Sequence, residues 1–211
     1  MSGSDEDRIV GAFLGFAIGD ALGGPLEGWS RQQIASAGEL LKYRSNHHPT
    51  RRGKAGPWPP GAWTDDTQQS LIVAESILGC GGIDARDIVA RLHRLWKSGE
   101  AYLYGHVFDE AMRRYDQGMP WDAIADTQSA LNGAAMRVIP VALWNWRHPE
   151  RLTEDAIRVS TTIHREPSAV AGAATLAHAY VYALHHAECE PRAMLEALVA
   201  VAKPLNRDLV Q

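Results

Sequence analysis

Apolar residues in this chain recur at intervals of three and four almost from end to end. Ile9, Phe13, Phe16 and Ala17 form one such set; Leu71, Ala74 and Leu78 another; Ile88, Leu92 and Leu95 a third; Met136, Ile139, Pro140 and Leu143 a fourth. No stretch shows the alternation of a half-buried strand. Ser30 before RQQIASAGELL and Asp84 before ARDIVARLHRLW read as helix N-caps, because a short side-chain oxygen can accept from the unpaired N–H groups of a first turn. The alanine-rich SAVAGAATLAHAYVYALHHA, residues 168–187, is apolar around much of its circumference and reads as a buried helix. The expected fold class is all-α.

The chain has 211 residues, 45% of them hydrophobic, enough for one domain with a real core. A formal charge of -4 gives no footprint for nucleic acid, so a phosphate-bearing ligand would have to be held locally. Cys80 and Cys189 lie far apart and outside any metal-binding spacing, which fits a reducing, cytoplasmic setting. The acidic start MSGSDEDR is unlike a signal or transit peptide, and the apolar run from Ile9 to Leu26 is broken by Asp20 and rich in glycine, so no membrane span is expected.

Two features interrupt the helical pattern. Residues 43–63 are rich in proline and glycine and read as a long, functional loop; within it Arg51, Arg52 and Lys54 read as a solvated charge run, and His47 and His48 as solvated too. Gly11, Gly15, Gly19 and Gly23 line one side of the first helix. Each interior glycine costs about 1 kcal/mol relative to alanine, so another helix or a ligand is expected to approach that side closely. Of the tryptophans, Trp58 and Trp63 flank the segment that follows the loop, whereas Trp144 and Trp146 are expected in the core.

That segment is GAWTDDTQQSL. Thr64 can cap the next helix, and one aspartate in its first turn is favoured by the helix dipole. Asp65 and Asp66 together repel each other unless a cation lies nearby, and hydroxyl plus carboxylate oxygens suit Mg²⁺ or Mn²⁺. Asp20 is trailed by ALGGPLEG, whose turn carries Glu27 on a constrained loop. Asn132 and Gly133 open NGAAMRVIPVALW, either as a simple helix start or as a place where a phosphate could meet exposed N–H groups. His164 precedes a helix begun by proline and, read alone, is a capping or surface residue.

Taken in order, RIVGAFLGFAIGDALGGPLEG, GAWTDDTQQSL, NGAAMRVIPVAL and TTIHREPSAVAGAA resemble the ADP-ribosylglycohydrolase family, over about residues 8–185. The resemblance implies a compact, orthogonal multi-helix domain filling residues 1–211, and hydrolysis of the N- or O-glycosidic bond between ADP-ribose and an acceptor. The substrate would be an ADP-ribosylated protein or a small ADP-ribose-containing molecule. It also implies a two-ion Mg²⁺ or Mn²⁺ centre. By resemblance Thr64, Asp65 and Asp66 are metal ligands, and Glu27, Asp65 and Asp66 serve catalysis, Glu27 as a base for water or a flexible ligand. Asn132, Gly133 and Met136 would wrap the diphosphate and distal ribose, His164 would lie near the adenosine, and Asp20 would shape its turn.

The family's second acidic motif, of the type Gly-Asp-Thr-Asp-Thr, does not occur in these 211 residues; near the C-terminus only Asp208 is available, in no such context. The expected domain is therefore C-terminally shortened, with half of the metal ligands. Three expectations follow. The chain is a hydrolase impaired in isolation and completed by another chain, or a binding module for ADP-ribose that does not cleave it, or a purely structural helical partner.

Overall fold

The structure, a computed structural model, describes residues 4–45, 52–54, 56, 58–186 and 188–206. His47, His48, Arg51 and Asp208 lie outside the described residues. The α-helices are α1 (Asp5–Gly23), α2 (Arg31–Ser36), α3 (Asp65–Cys80), α4 (Ala85–Lys97), α5 (His106–Asp116), α6 (Ile139–Asn145), α7 (Pro149–Ser160), α8 (Pro167–His185) and α9 (Pro191–Leu205). Short 3-10 turns cover Gly24–Leu26 and Asn132–Arg137. Among the described residues there is no β-strand, only isolated bridges such as Asp126 with His164. The all-α expectation holds.

Local chemistry accounts for the helix ends. Ser30 Oγ accepts from the Gln33 N–H at 3.3 Å while Gln33 Oε1 accepts from the Ser30 N–H at 2.8 Å, a reciprocal cap that starts α2. α2 is shorter than its apolar spacing predicts, because Gly38, at φ +76, turns the chain away just after Ser36. Asp84 accepts from the Asp87 N–H at 3.0 Å and starts α4 as expected. Proline occupies the first position of α7, α8 and α9, where its missing N–H costs nothing. NGAAMRVIPVALW, expected as one helix, is instead a 3-10 turn followed by α6. Pro140 has no N–H for a continuous helical ladder, but it is suited to the second position of a new helix.

The core lies where α3, α4, α5, α6, α7 and α8 meet. Val73, Ile88, Leu92, Met112, Val141, Leu152, Val159 and Ile163 are fully or almost fully removed from solvent there. Ala173, Ala174 and Ala177 put small side chains on the buried side of α8, so that α7 and the Asn132–Arg137 turn pack closely against it. Trp146 packs against this core from a half-buried position, but Trp144 is 40% exposed, contrary to the expectation that both lie inside. The cause is helical phase, since two residues along α6 and its cap turn a side chain through more than half a circle.

The proline-rich loop is tied down by charge. Arg52 pairs with the buried carboxylate of Asp109, which also accepts from Trp96 Nε1 at 2.9 Å and Arg113 Nε at 2.9 Å. Burial would raise the Asp109 pKa, but these donors outweigh it and hold the carboxyl below its usual range. Lys54 pairs with Glu100, and its N–H donates to Ala101 O at 2.8 Å. Arg52 and Lys54 are exposed, as expected of solvated charges, and they also anchor the loop.

α1 departs most from expectation. Ala21 is its sole buried residue, and a Cβ placed on Gly11, Gly15, Gly19 or Gly23 would meet no atom within 4 Å. The close neighbour expected along the glycine side is absent among the described residues. Its other side, with Ile9, Phe13 and Phe16, is half-buried, and polar ties fix the helix further. Asp5 pairs with Arg147, Arg8 Nη1 donates to Leu184 O at 2.6 Å, and Asp20 bonds to the start of α3.

The core assignment sets a contrast between two leucines. Leu92→Ala, inside the core, is expected to cost about 3 kcal/mol in urea denaturation, and Leu78→Ala, 74% exposed, less than about 0.5 kcal/mol.

Candidate functional site

The site is assembled at the first turn of α3. An α-helix leaves its first N–H groups without partners, and a residue far away in sequence satisfies them here. Asp20, near the end of α1, accepts from the Thr64 N–H at 2.9 Å and the Thr67 N–H at 3.1 Å, and from the two hydroxyls, Thr64 Oγ1 at 2.7 Å and Thr67 Oγ1 at 2.6 Å. Thr64 Oγ1 itself accepts only a long bond, 3.4 Å, from the Asp66 N–H. Asp20 is therefore the effective cap of α3, a structural role, though its side chain serves the start of α3 and not the turn it was expected to shape. With the dipole already met by Asp20, capping no longer accounts for Asp65 and Asp66.

Asp65 is buried and Asp66 half-buried. Asp65 Oδ2 accepts from Gln69 Nε2 at 3.2 Å, one helical turn on. Gln69 Oε1 accepts from Arg137 Nη1 at 2.9 Å, and Arg137 Nη2 donates to His164 Nδ1 at 3.0 Å. A chain of polar side chains thus runs from the aspartate pair to His164 through the interior. Ser70 Oγ donates to Met136 O, a second tie between α3 and the NGAAMR turn.

Arg137 is completely buried, and its Nε has no hydrogen-bond partner among the described residues. Burial lowers the guanidinium pKa to about 10 while the fields of Asp65 and Asp66 pull it back up, so at neutral pH it remains a cation. The repulsion between the two aspartates called for a positive charge nearby. Arg137 supplies one from within the protein.

His164 is only 3% exposed, which corrects the view of it as a capping or surface residue. Burial first and the Arg137 charge second lower its pKa to about 3, so its ring is neutral and Nδ1 acts as an acceptor. Gly133 lies directly against this ring: a Cβ there would come within 2.8 Å of His164 Cε1. Asn132 is exposed and Met136 half-buried. Glu27 is exposed in the turn after Gly24–Leu26, its N–H donating to Gly24 O at 3.2 Å, and is followed by Gly28 at φ +79. Tyr180 of α8 has its phenol pKa raised, by burial first and then by the field of Asp66, which puts α8 within electrostatic reach of the pair.

Three consecutive oxygen donors, Thr64, Asp65 and Asp66, have the chemistry of a hard-cation site. The set is not sufficient for a two-ion centre. Among the described residues no three His, Cys, Asp or Glu side chains come together as a metal-binding group.

A family model described as ADP-ribosylglycohydrolase matches residues 1–209. The chain belongs to the ADP-ribosylglycohydrolase family. It is 34% identical over 176 residues to the ADP-ribosyl-[dinitrogen reductase] glycohydrolase of Rhodospirillum rubrum, covering 82% of this chain and 56% of that protein. It is 29% identical over 174 residues to an ADP-ribosylarginine hydrolase of Serratia proteamaculans, covering 78% of this chain and 44% of that one. A solved structure titled ADP-ribosylglycohydrolase-related protein complex superposes with a TM-score of 0.67 at 33% identity, over 93% of this chain and 61% of its own. This family member spans about half the length of the curated relatives it matches.

Sequence reasoning passed over Gln69 and Arg137. The signal was present: a glutamine one turn after Asp65, and an arginine inside the otherwise apolar run from Gly133 to Leu143.

Two expectations test this arrangement. Asp20→Ala removes four accepted bonds and strands the Thr67 N–H, so urea denaturation should show a loss of about 3 kcal/mol, with Asp20→Asn retaining part of it. For His164 the folded pKa lies below the unfolded one, near 6.5, so the unfolded chain takes up a proton first as pH falls. That contribution is fully favourable above about pH 6.5 and is lost toward pH 3 at about 1.4 kcal/mol per pH unit. Between pH 7 and 4.5, stability should therefore fall about 2–3 kcal/mol further in the wild type than in His164→Gln.

Proposed function

We propose that this chain carries the ADP-ribose-binding face of a hydrolase that removes ADP-ribose from a modified acceptor, and that it is impaired when isolated. The observation behind this reading is that the two motif segments TDDT and NGAAMR, 66 residues apart from Ser70 to Met136, are joined at one place by the Ser70 and Gln69–Arg137 bonds. His164 is joined to the same network. The reading takes residues 1–211 as one ADP-ribosylglycohydrolase-like domain.

On this reading Arg137 and Gln69 fix the Asp65 carboxylate, and the neutral His164 ring supports Gly133 beneath the segment that would wrap the diphosphate. A buried, already bonded carboxylate loses no conformational freedom when the sugar arrives, and binding energy from the diphosphate and adenine goes into orienting the anomeric bond. Thr64, Asp65 and Asp66 contribute oxygens to Mg²⁺ or Mn²⁺ only when further ligands complete the centre. Glu27, on its exposed turn, is the group that can move toward the attacking water. The substrate is an ADP-ribosylated protein or a small molecule containing ADP-ribose.

A second reading, a binding module without hydrolysis, is favoured by the small number of metal-binding side chains around Asp65. Calorimetric titration of the purified chain with ADP-ribose, with and without Mg²⁺, distinguishes the two. We expect ADP-ribose binding that Mg²⁺ strengthens only weakly, loss of that strengthening in the Asp65→Ala, Asp66→Ala double variant, and slow turnover or none. Robust hydrolysis by the isolated chain would refute the impairment, binding indifferent to Mg²⁺ selects the second reading, and no binding at all refutes both.

A further inference from the structure

A cavity that takes no part in the site described above has a volume of about 340 Å³ and is lined by Arg86, Arg158 and Arg165 together with Trp121, Asp84 and Thr161. Pockets that hold whole small ligands begin at about 300 Å³. Its walls come from three places distant in sequence: the first turn of α4, the last turn of α7 with its cap, and the segment just after His164. The backbone sets the position of Arg165. Its N–H donates to Asp126 O at 2.6 Å and the Asp126 N–H donates to Ile163 O at 2.8 Å, which makes the isolated bridge between Asp126 and His164. Successive side chains on such a segment point to opposite sides, so His164 is buried against Arg137 while Arg165 is exposed in the cavity.

The gathering of three guanidiniums is not explained by the fold. The dipole of α7 favours a cation near its C-terminus, which accounts for Arg158. It does not account for Arg165, which lies beyond the helix, and Arg86 stands at the positive end of α4, where a cation is disfavoured. Arg158 Nη2 donates to Glu154 Oε1 at 3.0 Å, an exposed pair of the kind that contributes little. Arg165 Nε donates to Thr161 O at 3.3 Å, and Arg86 makes no ion pair among the described residues. A second cavity of similar volume, at Trp144–Arg151, gives the contrast. There Arg147 pairs with Asp5 and lies over the Trp146 ring at 4.8 Å, and His148 Nδ1 is 3.4 Å from Glu150 Oε1, so two of its three basic groups are met by the protein itself.

The rest of the lining decides the class of ligand. Trp121 and Ile83 are half-buried and pack against the core, so the indole is a fixed apolar wall. Asp84 Oδ1 accepts from the Asp87 N–H at 3.0 Å, and its second oxygen remains an acceptor. Guanidiniums bind phosphate oxygens in pairs, an aromatic face stacks on a planar base, and a carboxylate accepts from sugar hydroxyls. We propose that the cavity of Arg86, Arg158, Arg165, Trp121 and Asp84 is a second ligand site, for a nucleoside monophosphate, separate from the ADP-ribose-binding face. The phosphate lies among the three guanidiniums, the base against Trp121 and the ribose diol at Asp84. Bare phosphate would face the Asp84 carboxylate and leave Trp121 uncovered, so the whole nucleotide fits this lining and phosphate alone does not. A ligand that holds Arg165 also holds the short segment that carries His164.

The test is calorimetric titration of the purified chain with AMP, ribose 5-phosphate and inorganic phosphate. One equivalent of AMP is expected to bind, about tenfold or more tighter than ribose 5-phosphate. The Arg86→Gln, Arg158→Gln double variant, changed only at exposed positions, should weaken AMP binding about tenfold or more. Trp121→Leu should reduce AMP to the affinity of ribose 5-phosphate, Trp121→Phe should keep part of the preference, and urea denaturation shows that each variant is folded. AMP binding that ignores the arginine variant, or no AMP binding, overturns the proposal. So does inorganic phosphate binding as tightly as AMP, the mark of an adventitious ion only. The arginine variant is also titrated with ADP-ribose. Lost AMP binding with retained ADP-ribose binding is the expected result, and loss of both overturns the separation of the sites. Failure of the wild type to bind ADP-ribose while it binds AMP refutes the function proposed above and leaves this second site standing.

Discussion

The arrangement depends on one carboxylate. Asp20 accepts four hydrogen bonds from Thr64 and Thr67, and through them α1 is fixed to the first turn of α3. The consequence is larger than a helix cap. A cap drawn from the same helix would leave the direction of α1 undetermined and would put another side chain in front of the first turn. With the cap supplied from α1, one interaction links the end of the entry helix, just before the turn bearing Glu27, to the presentation of Asp65 and Asp66. Charge-assisted bonds of this type are about twice as strong as neutral ones, which suits a contact on which so much geometry depends.

A second constraint, inside the core, gives the pair of aspartates its character. Burying a guanidinium is costly unless its charge is met, and here it is met by the field of Asp65 and Asp66 and by bonds to Gln69 and His164. Burial first, and then the same cation, keep His164 neutral, since a second positive charge 3.0 Å from the guanidinium in the interior would be repelled. Gly133 follows from this in turn, because no side chain fits between its backbone and the ring. Six residues scattered over nearly a hundred positions thus depend on one another, which is why motifs that say little singly become specific in combination.

This also explains what was legible in the sequence. Helix periodicity, the Ser30 and Asp84 caps and the proline-started α8 could be read because each is decided within a few residues. The family likewise could be read, because its motifs are local strings. What could not be read were facts about pairs distant in sequence. Asp20 capping α3 joins positions 44 apart, and Arg137 bonding Gln69 joins positions 68 apart. His164 looked like a surface residue because nothing in TTIHREP marks it as covered by a turn some thirty residues earlier. Trp144 and Trp146, so close in sequence, could be separated only once the phase of α6 was known.

The glycine ladder of α1 carries a different lesson, because the physical argument was sound and its object was missing. Interior glycines are expensive in a helix, so they were taken to mean close approach; the described residues contain nothing that approaches. Among the described residues nothing offsets this cost, roughly 2–3 kcal/mol over the three interior positions. A helix in that condition, with apolar side chains exposed beside the glycines, is held by polar contacts at its ends and by the half-buried inner side that carries Ile9, Phe13 and Phe16. Its rigidity then depends on Arg8, Asp5 and above all Asp20. Whatever displaces α1 acts through Asp20 on the first turn of α3, so the placement of the entry helix and the presentation of Asp65 and Asp66 are coupled.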